Sequence, residues 1–312
     1  MNELSFRECQ ALSLGATMYV PGTHADLKAI VSTGKTGARS LVVCTEDAVA
    51  ADDLPLALAN IREALPLMMN LEDNGVQVFI RPRTPDVLRA LLNEKHIENA
   101  AGFVLPKFTV DNLDDWTDAL EGASPMLGIM PTLETSDVYN TDAMKCLAFL
   151  LKKGALSSRV IALRIGGNDL LNCLGLRRPR NMTIYDTPLG STIAKLVTTF
   201  RPLGFMLTAP VFEHYEDTES LKREVALDKA HGLIGKTAIH PSQLAVIEQS
   251  LAPTAMEHEE ATAILAVDAP AVFKLNGSMC EPATHYHWAK MIAFMAERKT
   301  ITTAQIRMIN AA

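Results

Sequence analysis

Eight short apolar segments recur along the first 250 residues, and their spacing restricts the fold more than any other feature. They cover residues 16–20, 40–44, 76–81, 102–105, 126–130, 160–165, 204–208 and 233–239. Their starts lie about 25 to 40 residues apart, which leaves room for a loop and a crossover helix between strands. This spacing is typical of parallel βα units.

Helical patterns fill the intervals between these segments. Apolar residues recur every three or four positions in residues 54–69, 84–95, 144–153 and 218–230, as expected for helices that cover a buried sheet. Eight units in about 245 residues fit a closed barrel better than a doubly wound sheet, and no GxGxxG follows the first strand. We therefore predict an α/β fold, a (β/α)8 TIM barrel over residues 1–250.

The remaining residues, 251–312, are predicted to form a C-terminal helical extension. Residues 252–254 (APT) form a break, and helical patterns resume near Met256 and Thr284. Apolar residues in this extension are predicted to contact a second subunit, and they are Ala271, Val272, Phe273, Trp288, Met291, Ile292 and Met295. The expected assembly is a homo-oligomer, a trimer or a multiple of one.

Charge and cysteine usage exclude several kinds of partner. The chain has 29 Lys and Arg against 36 Asp and Glu, a net charge of −7, which argues against nucleic acid and anionic membranes as partners. No apolar run reaches the length of a membrane span, and residues 1–8 do not resemble a signal peptide. Five scattered cysteines without a CxxC pair argue against a disulfide framework or a zinc site. A cytoplasmic location is expected.

Polar residues follow the predicted strands, where the loops of a barrel converge on one face. They are Glu46, Asp47, Arg81, Arg83, Lys107, Glu134, Gly166, Gly167, Asn168, Asp169 and His240. Carboxylates facing an arginine suit a hard cation such as Mg²⁺ or Mn²⁺, and Glu134 and Asp169 are the natural ligand pair. The backbone N–H groups of the two glycines are expected to face a bound anion.

Nine segments along the chain carry a further signal, and they are VPG at 20–22, EDAV at 46–49, Arg81, LPK at 105–107, LE at 133–134, GGND at 166–169, GKTAIHP at 235–241, APT at 252–254 and LNGSM at 275–279. In this order they resemble the citrate lyase β-subunit-like branch of the HpcH/HpaI aldolase superfamily. The resemblance covers nearly the whole chain. It implies a Mg²⁺-dependent carbon–carbon lyase or aldolase that acts on an anionic oxo-acid or acyl substrate through an enolate, often a coenzyme A thioester.

The resemblance also implies roles for individual residues. Glu134 and Asp169 correspond to metal ligands, and Arg81 corresponds to the group that pairs with the enolate oxygen. Glu46 and Asp47 would organise metal-bound water. Glu281 would reach the site of a neighbouring subunit.

Departures from the family pattern argue against a standard acyl-CoA substrate. Leu14-Gly15 stands where relatives carry an arginine, Cys44-Thr45 replaces an acid, Arg83 replaces an asparagine and Glu281 replaces an aspartate. Arg164 is an additional charge in the sixth strand. The combination is similar to a citrate-lyase-like subgroup found with tellurite-resistance-type gene clusters. The predicted substrate contacts are Gly167, Asn168, Arg83, Arg164, Lys107 and His240.

Other interpretations of the same residues stay open at this stage. Glu134 and Asp169 can pair with arginines as a structural network, and Glu46 and Asp47 can serve only as helix caps. Lys107 suits a substrate anion better than a Schiff base. His240 is either an acid or base or only the end of a strand. The rival functions are a metal-dependent thioesterase or hydrolase, and a non-catalytic ligand-binding homologue.

Overall fold

A barrel of eight parallel strands is the central feature of the computed structural model, which describes residues 3–33, 36–68 and 76–309. The strands are β1 Gly15–Pro21, β2 Ser40–Cys44, β3 Gln77–Arg81, β4 Gly102–Leu105, β5 Gly128–Leu133, β6 Leu163–Ile165, β7 Leu207–Thr208 and β8 Gly235–Ala238. Consecutive strands from β1 to β7 pair in parallel, and β1 pairs with β8. The backbone N–H of Ala209 donates to Gly235 O at 2.7 Å and closes the barrel. The predicted TIM barrel is confirmed.

Helices follow the strands as the apolar pattern predicts. They are α1 Phe6–Leu12, α2 Leu27–Thr33, α3 Leu54–Ala64, α4 Pro85–Leu92, α5 Leu113–Ala119, α6 Thr141–Lys153, α7 Gly167–Cys173, α8 Leu189–Phe200, α9 Thr218–Ala230, α10 Pro241–Leu251, α11 Ala255–Leu265 and α12 Pro282–Ile309. The predicted helix over 54–69 is shorter, because α3 ends at Ala64 and a 3₁₀ turn over Leu65–Leu67 contains Pro66. Proline lacks the N–H that would continue an α-helix. Met69 lies outside the described residues.

The fifth strand begins and ends later than its apolar run. The prediction placed it over 126–130, but Met126 is exposed and Leu127 N bonds to Ser124 O in a turn at 3.2 Å. The strand continues through Pro131 and Thr132, since these residues pair with Leu105 and Arg164 of the neighbouring strands. A buried threonine inside a barrel interrupts the apolar pattern without ending the strand.

Alternation along the strands divides the side chains between the barrel interior and the helical layer. Thr17, Ser40 and Gln77 share one register across β1, β2 and β3, and Ser40 Oγ donates to Thr17 Oγ1 at 2.8 Å. Phe79 and Phe103 are fully buried, and burial of each such side chain contributes about 1.5–3 kcal/mol of stability. The strands therefore have almost no exposed face.

The chain forms two compact units. The first consists of residues 14–250, and the second joins the N-terminal residues up to Ser13 to residues 251–312. The second unit contains α1, α11, α12 and the hairpin of β9 Phe273–Leu275 and β10 Ser278–Cys280. Asn276 and Gly277 take positive φ values of 51° and 80°, as a two-residue hairpin turn requires. No helix in the described part of the chain is long and apolar enough to cross a membrane.

The apolar stripe assigned to a subunit contact is covered in part within this same unit. Ala261, Ile264, Cys280, Ala289 and Ile292 form its core. Several residues of the predicted stripe pack against or within that core, and they are Phe273, Trp288, Ile292 and Met295. Their packing within this unit corrects the expectation that a second subunit is what covers them. Val272 is exposed.

Candidate active site

The carboxyl ends of five neighbouring strands place charged side chains at the mouth of the barrel. We name this set the mouth cluster. It consists of Glu46 and Asp47 after β2, Arg81 at the end of β3, Lys107 after β4, Glu134 after β5 and Asp169 in the first turn of α7. The sequence prediction that these residues follow strand ends is confirmed, and their side-chain contacts show what the arrangement can do.

Arg81 is the centre of the mouth cluster. Its Nη2 lies 2.8 Å from Glu46 Oε2, 2.9 Å from Glu134 Oε1 and 3.4 Å from Asp47 Oδ2. The residue is only 7% exposed, and burial alone would lower its pKa. The carboxylates of Glu134 and Glu46 and the Tyr19 hydroxyl raise that pKa instead. Arg81 is therefore a permanent cation held between acids.

Glu134 receives two donors on one oxygen. Arg81 Nη2 and the backbone N–H of Lys107, at 2.8 Å, both donate to Oε1. Lys107 adopts a left-handed φ of 48°, which directs its N–H toward the carboxylate. Burial first, then the charges of Asp169 and Glu46, raise the pKa of Glu134 to about 7 against the opposing effect of Arg81 and this bond.

Glu46 and Asp47 occupy a loop that backbone bonds hold against β3. Thr45 Oγ1 donates to Arg81 O at 2.8 Å. The guanidinium of Arg83 donates to Thr45 O and Glu46 O, both at 3.1 Å, and also to Val49 O. Arg83 therefore orders the loop that carries the two acids, and its predicted contact with substrate stays a prediction.

The second cation, Lys107, contacts both acids of this loop. Its Nζ donates to Glu46 Oε1 and lies 3.4 Å from Asp47 Oδ1. Burial opposes the ionised form of Asp47, but its hydrogen bond to Glu46 and the nearby Arg81 and Lys107 lower the pKa of Asp47. Burial likewise opposes the charge of Lys107, yet Glu46 and Asp47 raise the pKa of that ammonium group. Because Lys107 is held as a cation, it suits anion binding better than Schiff-base chemistry.

The close approach of the segment before Asp169 to Glu134 explains why residue 166 is glycine. A Cβ on Gly166 would lie 2.4 Å from Glu134 Cβ, so only glycine permits the two segments to meet. The N–H of Gly166 donates to Leu133 O at 3.1 Å and is therefore not available to an anion, contrary to the expectation from sequence. Gly167 is buried and Asn168 is exposed. Their contacts with substrate stay predictions.

Asp169 is the least shielded of the proposed ligands. It is half-buried, and burial, followed by the charge of Asp47, raises its pKa despite Lys107 and Arg81. The surroundings of Glu134 and of Asp169 thus both make the ionised carboxylate more costly when no further cation is near. A divalent cation placed beside them would relieve this cost.

The charges of the mouth cluster fit a divalent cation. When all groups are ionised, four carboxylates face two cations, which leaves a net charge of −2. Among the described residues, no group of three or more His, Cys, Asp or Glu side chains is arranged to hold a metal by itself. Mg²⁺ uses one or two carboxylates and completes its coordination with water and substrate oxygens. Glu134 and Asp169 would hold such an ion.

Comparison with known proteins identifies the family. The family model named "C-C bond lyase of the TIM-barrel fold" matches residues 8–299. The chain belongs to this family. The (3S)-malyl-CoA thioesterase of Cereibacter sphaeroides is 25% identical over 253 residues, which are 80% of this chain and 81% of the relative. The L-malyl-CoA/β-methylmalyl-CoA lyase of Rhodobacter capsulatus is 24% identical over 247 residues, 71% of this chain and 74% of the relative.

A solved structure shows the same fold at low identity. CitE from Mycobacterium tuberculosis, in complex with magnesium, acetoacetate and coenzyme A, aligns with a TM-score of 0.66 and 18% identity over 92% of this chain and 99% of that one. The carbon–carbon lyase family and its citrate-lyase-like relatives are thus those that the sequence resemblance indicates.

Six predicted site residues lie outside the mouth cluster: Arg83, Gly167 and Asn168, which are described above, and Arg164, His240 and Glu281. His240 is exposed, accepts or donates at Nδ1 with Ser242 Oγ at 2.8 Å, and stacks on Tyr215 with ring centroids 4.8 Å apart. Glu281 belongs to the second unit, where its Oε2 accepts from Thr284 Oγ1 at 2.9 Å. Arg164 is buried in the barrel interior.

Sequence reasoning missed a second buried set of charges in the barrel, which we name the outer cluster. Lys236 Nζ lies 2.7 Å from Glu224 Oε1 and 2.9 Å from Asp228 Oδ2, and Arg178 Nη1 lies 3.0 Å from Glu224 Oε2. Tyr185 Oη donates to Asp228 Oδ1 at 2.7 Å. Glu224 and Asp228 are four residues apart on α9, a spacing that places both on one helix face. That spacing, opposite a strand lysine, was the available signal.

Proposed function

We propose that this protein uses Mg²⁺ or Mn²⁺ to break or form a carbon–carbon bond beside the carbonyl of a small anionic oxo-acid or acyl substrate. The observation that carries the proposal is the mouth cluster, in which a buried arginine joins Glu46 and Glu134 and two net negative charges remain. Such a site attracts a divalent cation and still presents a guanidinium to a developing oxyanion. Carbon–carbon lyases of this type pass through an enolate.

The residues of the chain divide the work in the cleavage direction. A proton leaves the substrate hydroxyl, the adjacent carbon–carbon bond breaks, and its electron pair becomes the enolate, which then takes up a proton. Glu46 and Asp47 accept and order protons at the mouth, and Arg81 donates to the enolate oxygen. Lys107 faces the anionic end of the substrate. The metal, when bound at Glu134 and Asp169, supplies further stabilisation of negative charge on oxygen.

A thioesterase is the second candidate function, since the relative from Cereibacter sphaeroides is named a thioesterase at an identity similar to that of the lyase. In that reaction the carbon skeleton stays intact and water replaces the thiol. Product analysis separates the two, because a lyase releases two carbon fragments. Leu14-Gly15 stands where an arginine is expected, which argues against a standard coenzyme A thioester as the substrate.

The proposal is tested by titrating Mg²⁺ into the wild type and into the variants Glu134→Gln and Asp169→Asn by calorimetry. Each variant removes one carboxylate with little change of shape, so we expect Mg²⁺ affinity to fall at least tenfold. Asp52→Asn is the matched control, since Asp52 is an exposed acid of a 3₁₀ turn. Identical isotherms for all four proteins would contradict the metal site.

We also propose that the protein is a homo-oligomer, a trimer or a multiple of one, in which Glu281 reaches the mouth of a neighbour. The family resemblance supports this proposal, and the placement in the tellurite-resistance-type subgroup likewise stays a prediction. Light scattering on the full chain is the test. A stable monomer at micromolar concentration would refute a shared site.

A further inference from the structure

Arg164 places a positive charge inside the barrel without a carboxylate partner. It is the middle residue of β6 and only 2% exposed. Its Nη2 donates to Thr237 Oγ1 at 2.6 Å, and its Nη1 lies 3.8 Å from Met130 Sδ. The guanidinium carbon lies 5.3 Å from the centroid of the Tyr19 ring. No acid in the described part of the chain forms an ion pair with it.

The other two buried arginines of the barrel are neutralised by acids. Arg81 contacts Glu46 and Glu134, and Arg178 contacts Glu224. Withdrawing a charge from water costs several kcal/mol unless an opposite charge compensates. A hydroxyl, a thioether and an aromatic face satisfy the hydrogen-bonding and polar contacts of Arg164 only in part. The charge of Arg164 therefore calls for an anion.

Two hydroxyl groups beside Arg164 are also incomplete. Thr132 of β5 and Thr208 of β7 are the register partners of Arg164 on its two neighbouring strands. Both residues are at least nine-tenths buried, and both Oγ1 atoms lack a hydrogen-bond partner in the structure. Register partners in a parallel sheet point to the same face. Three donors thus lie side by side in one layer of the barrel interior.

This layer lies directly beneath the mouth cluster. Met130, Thr132 and Glu134 alternate along the fifth strand and its end, so their side chains share one face. Met130 contacts Arg164, Thr132 belongs to the layer, and Glu134 contacts Arg81. Two residues of strand correspond to about 6.5 Å, a separation that a short-chain diacid spans. A substrate held at the mouth therefore has its far end near Arg164.

We propose that Arg164, Thr132 and Thr208 bind a second anionic group of the substrate, which makes the substrate of this lyase a small dianion. The second group is a carboxylate or a phosphoryl group, the two oxyanions that a guanidinium fork and hydroxyl donors hold best. The inference rests on the proposed function for the position of the reacting carbon at the mouth. It assigns the opposite end of the substrate to residues that the mechanism does not use.

The experiment compares probe pairs that differ by one negative charge, by calorimetry with and without Mg²⁺. The pairs are 2-oxoglutarate with 2-oxopentanoate, and malate with 2-hydroxybutyrate. We expect the wild type to bind the doubly charged probe of at least one pair tenfold more tightly or better, and Arg164→Met to lose this preference. The charge-matched control is Arg62→Met, since Arg62 is exposed and pairs with Glu94, and this variant should keep the preference. Succinate against 3-phosphonopropionate separates a carboxylate from a phosphoryl group.

Threonine variants test the hydroxyl groups separately. Thr132→Val and Thr208→Val keep the side-chain shape and remove the donor, so the preference for the doubly charged probe should fall several-fold. Thr132→Ser and Thr208→Ser retain the hydroxyl group and should keep that preference. Melting temperatures without ligand report on folding. Because Arg164→Met removes an uncompensated buried charge, its melting temperature should equal or exceed that of the wild type.

Several results would overturn the inference. One is that the wild type binds both members of every pair with equal affinity. Another is that it binds no doubly charged probe, and a third is that Arg164→Met keeps the preference for the doubly charged probe. A failure of the proposed function looks different, because Mg²⁺ affinity would then be unaffected by Glu134→Gln. The charge preference measured without Mg²⁺ would still depend on Arg164.

Discussion

The mouth cluster and the outer cluster contain the same types of charged residue but serve different purposes. In the outer cluster, Arg178 and Lys236 meet Glu224 and Asp228, and all four side chains are fully buried. A third carboxylate, Glu213, lies 3.4 Å from Arg178 and is only 14% exposed. In the mouth cluster, four carboxylates meet two cations, and the Asp47 side chain is 54% exposed. Charges that are paired with each other and shielded from solvent hold α9 to β8. Unbalanced charges that reach solvent are available to a ligand.

The difference appears again in how each acid is supported. Burial raises the pKa of Asp228, and Glu224 adds to this effect, but two bonds from Lys236 and Tyr185 oppose it. Glu134 has a pKa of about 7 although Arg81 and a backbone N–H donate to it. The mouth cluster can therefore accept a further cation, whereas the two fully buried acids of the outer cluster are paired within the protein.

The largest expected effect comes from breaking the outer cluster. Lys236→Met leaves Glu224 and Asp228 buried beside each other, with Arg178 and the backbone N–H of Ile184 still contacting Glu224 and Tyr185 still donating to Asp228. Breaking a buried pair in this way costs about 3–5 kcal/mol, and urea unfolding measures the loss. Lys222→Met is the control, since Lys222 lies on α9 with the two acids and its pair with Glu219 is exposed. This variant should change stability by less than about 0.5 kcal/mol. Equal losses of stability in both variants would show that the outer cluster stabilises the fold no more than an exposed ion pair does.

A comparable effect on activity, but not on stability, is expected at the mouth. Arg81→Lys keeps the charge and loses the planar fork, so turnover on an identified substrate should fall about 10²–10³-fold. The free energy of unfolding should change by less than about 1.5 kcal/mol, because a cation still faces the acids. Steady-state kinetics and urea unfolding of the same samples give both numbers. Nearly full turnover would show that Arg81 does not contact the reacting oxygen.

A smaller effect tests the hydroxyl of the outer cluster. Tyr185→Phe removes the donor to Asp228 Oδ1, and we expect a loss of about 1–3 kcal/mol because the carboxylate stays buried. Tyr215→Phe is a suitable control, since Tyr215 is exposed. Thermal or urea unfolding distinguishes the two. No loss in Tyr185→Phe would mean that Lys236 alone satisfies Asp228.

The smallest effect concerns the pH dependence of stability without metal. The folded-state pKa of Glu134, about 7, lies above its ordinary value, so the folded protein binds a proton more tightly than the unfolded chain does. Stability in EDTA should therefore rise as the pH falls from 8 to 6, by about 1 kcal/mol from this group. Glu134→Gln should remove that part of the slope. A stability that rises more steeply toward low pH in Glu134→Gln than in the wild type would contradict the raised pKa of Glu134.

The sequence indicated both the barrel and most of the mouth cluster, for one reason. Strand ends in a barrel converge, so residues that follow each apolar run become neighbours whatever their separation in sequence. Glu134, which is 53 residues from Arg81, could be paired with it on this rule alone. The role of Arg83 could not be deduced, since its three carbonyl partners depend on the path of the loop over residues 45–49.

Periodicity and strand-end position by themselves determined the fold class and the face that bears the site, because both depend on local order along the chain. The tertiary structure decided which charges are compensated. Arg81, Arg164 and Arg178 look alike in the sequence, yet one joins the mouth cluster, one faces the barrel interior without an acid, and one completes the outer cluster. Compensation is a property of distance and burial, and these are set only when the strands close and the helices pack.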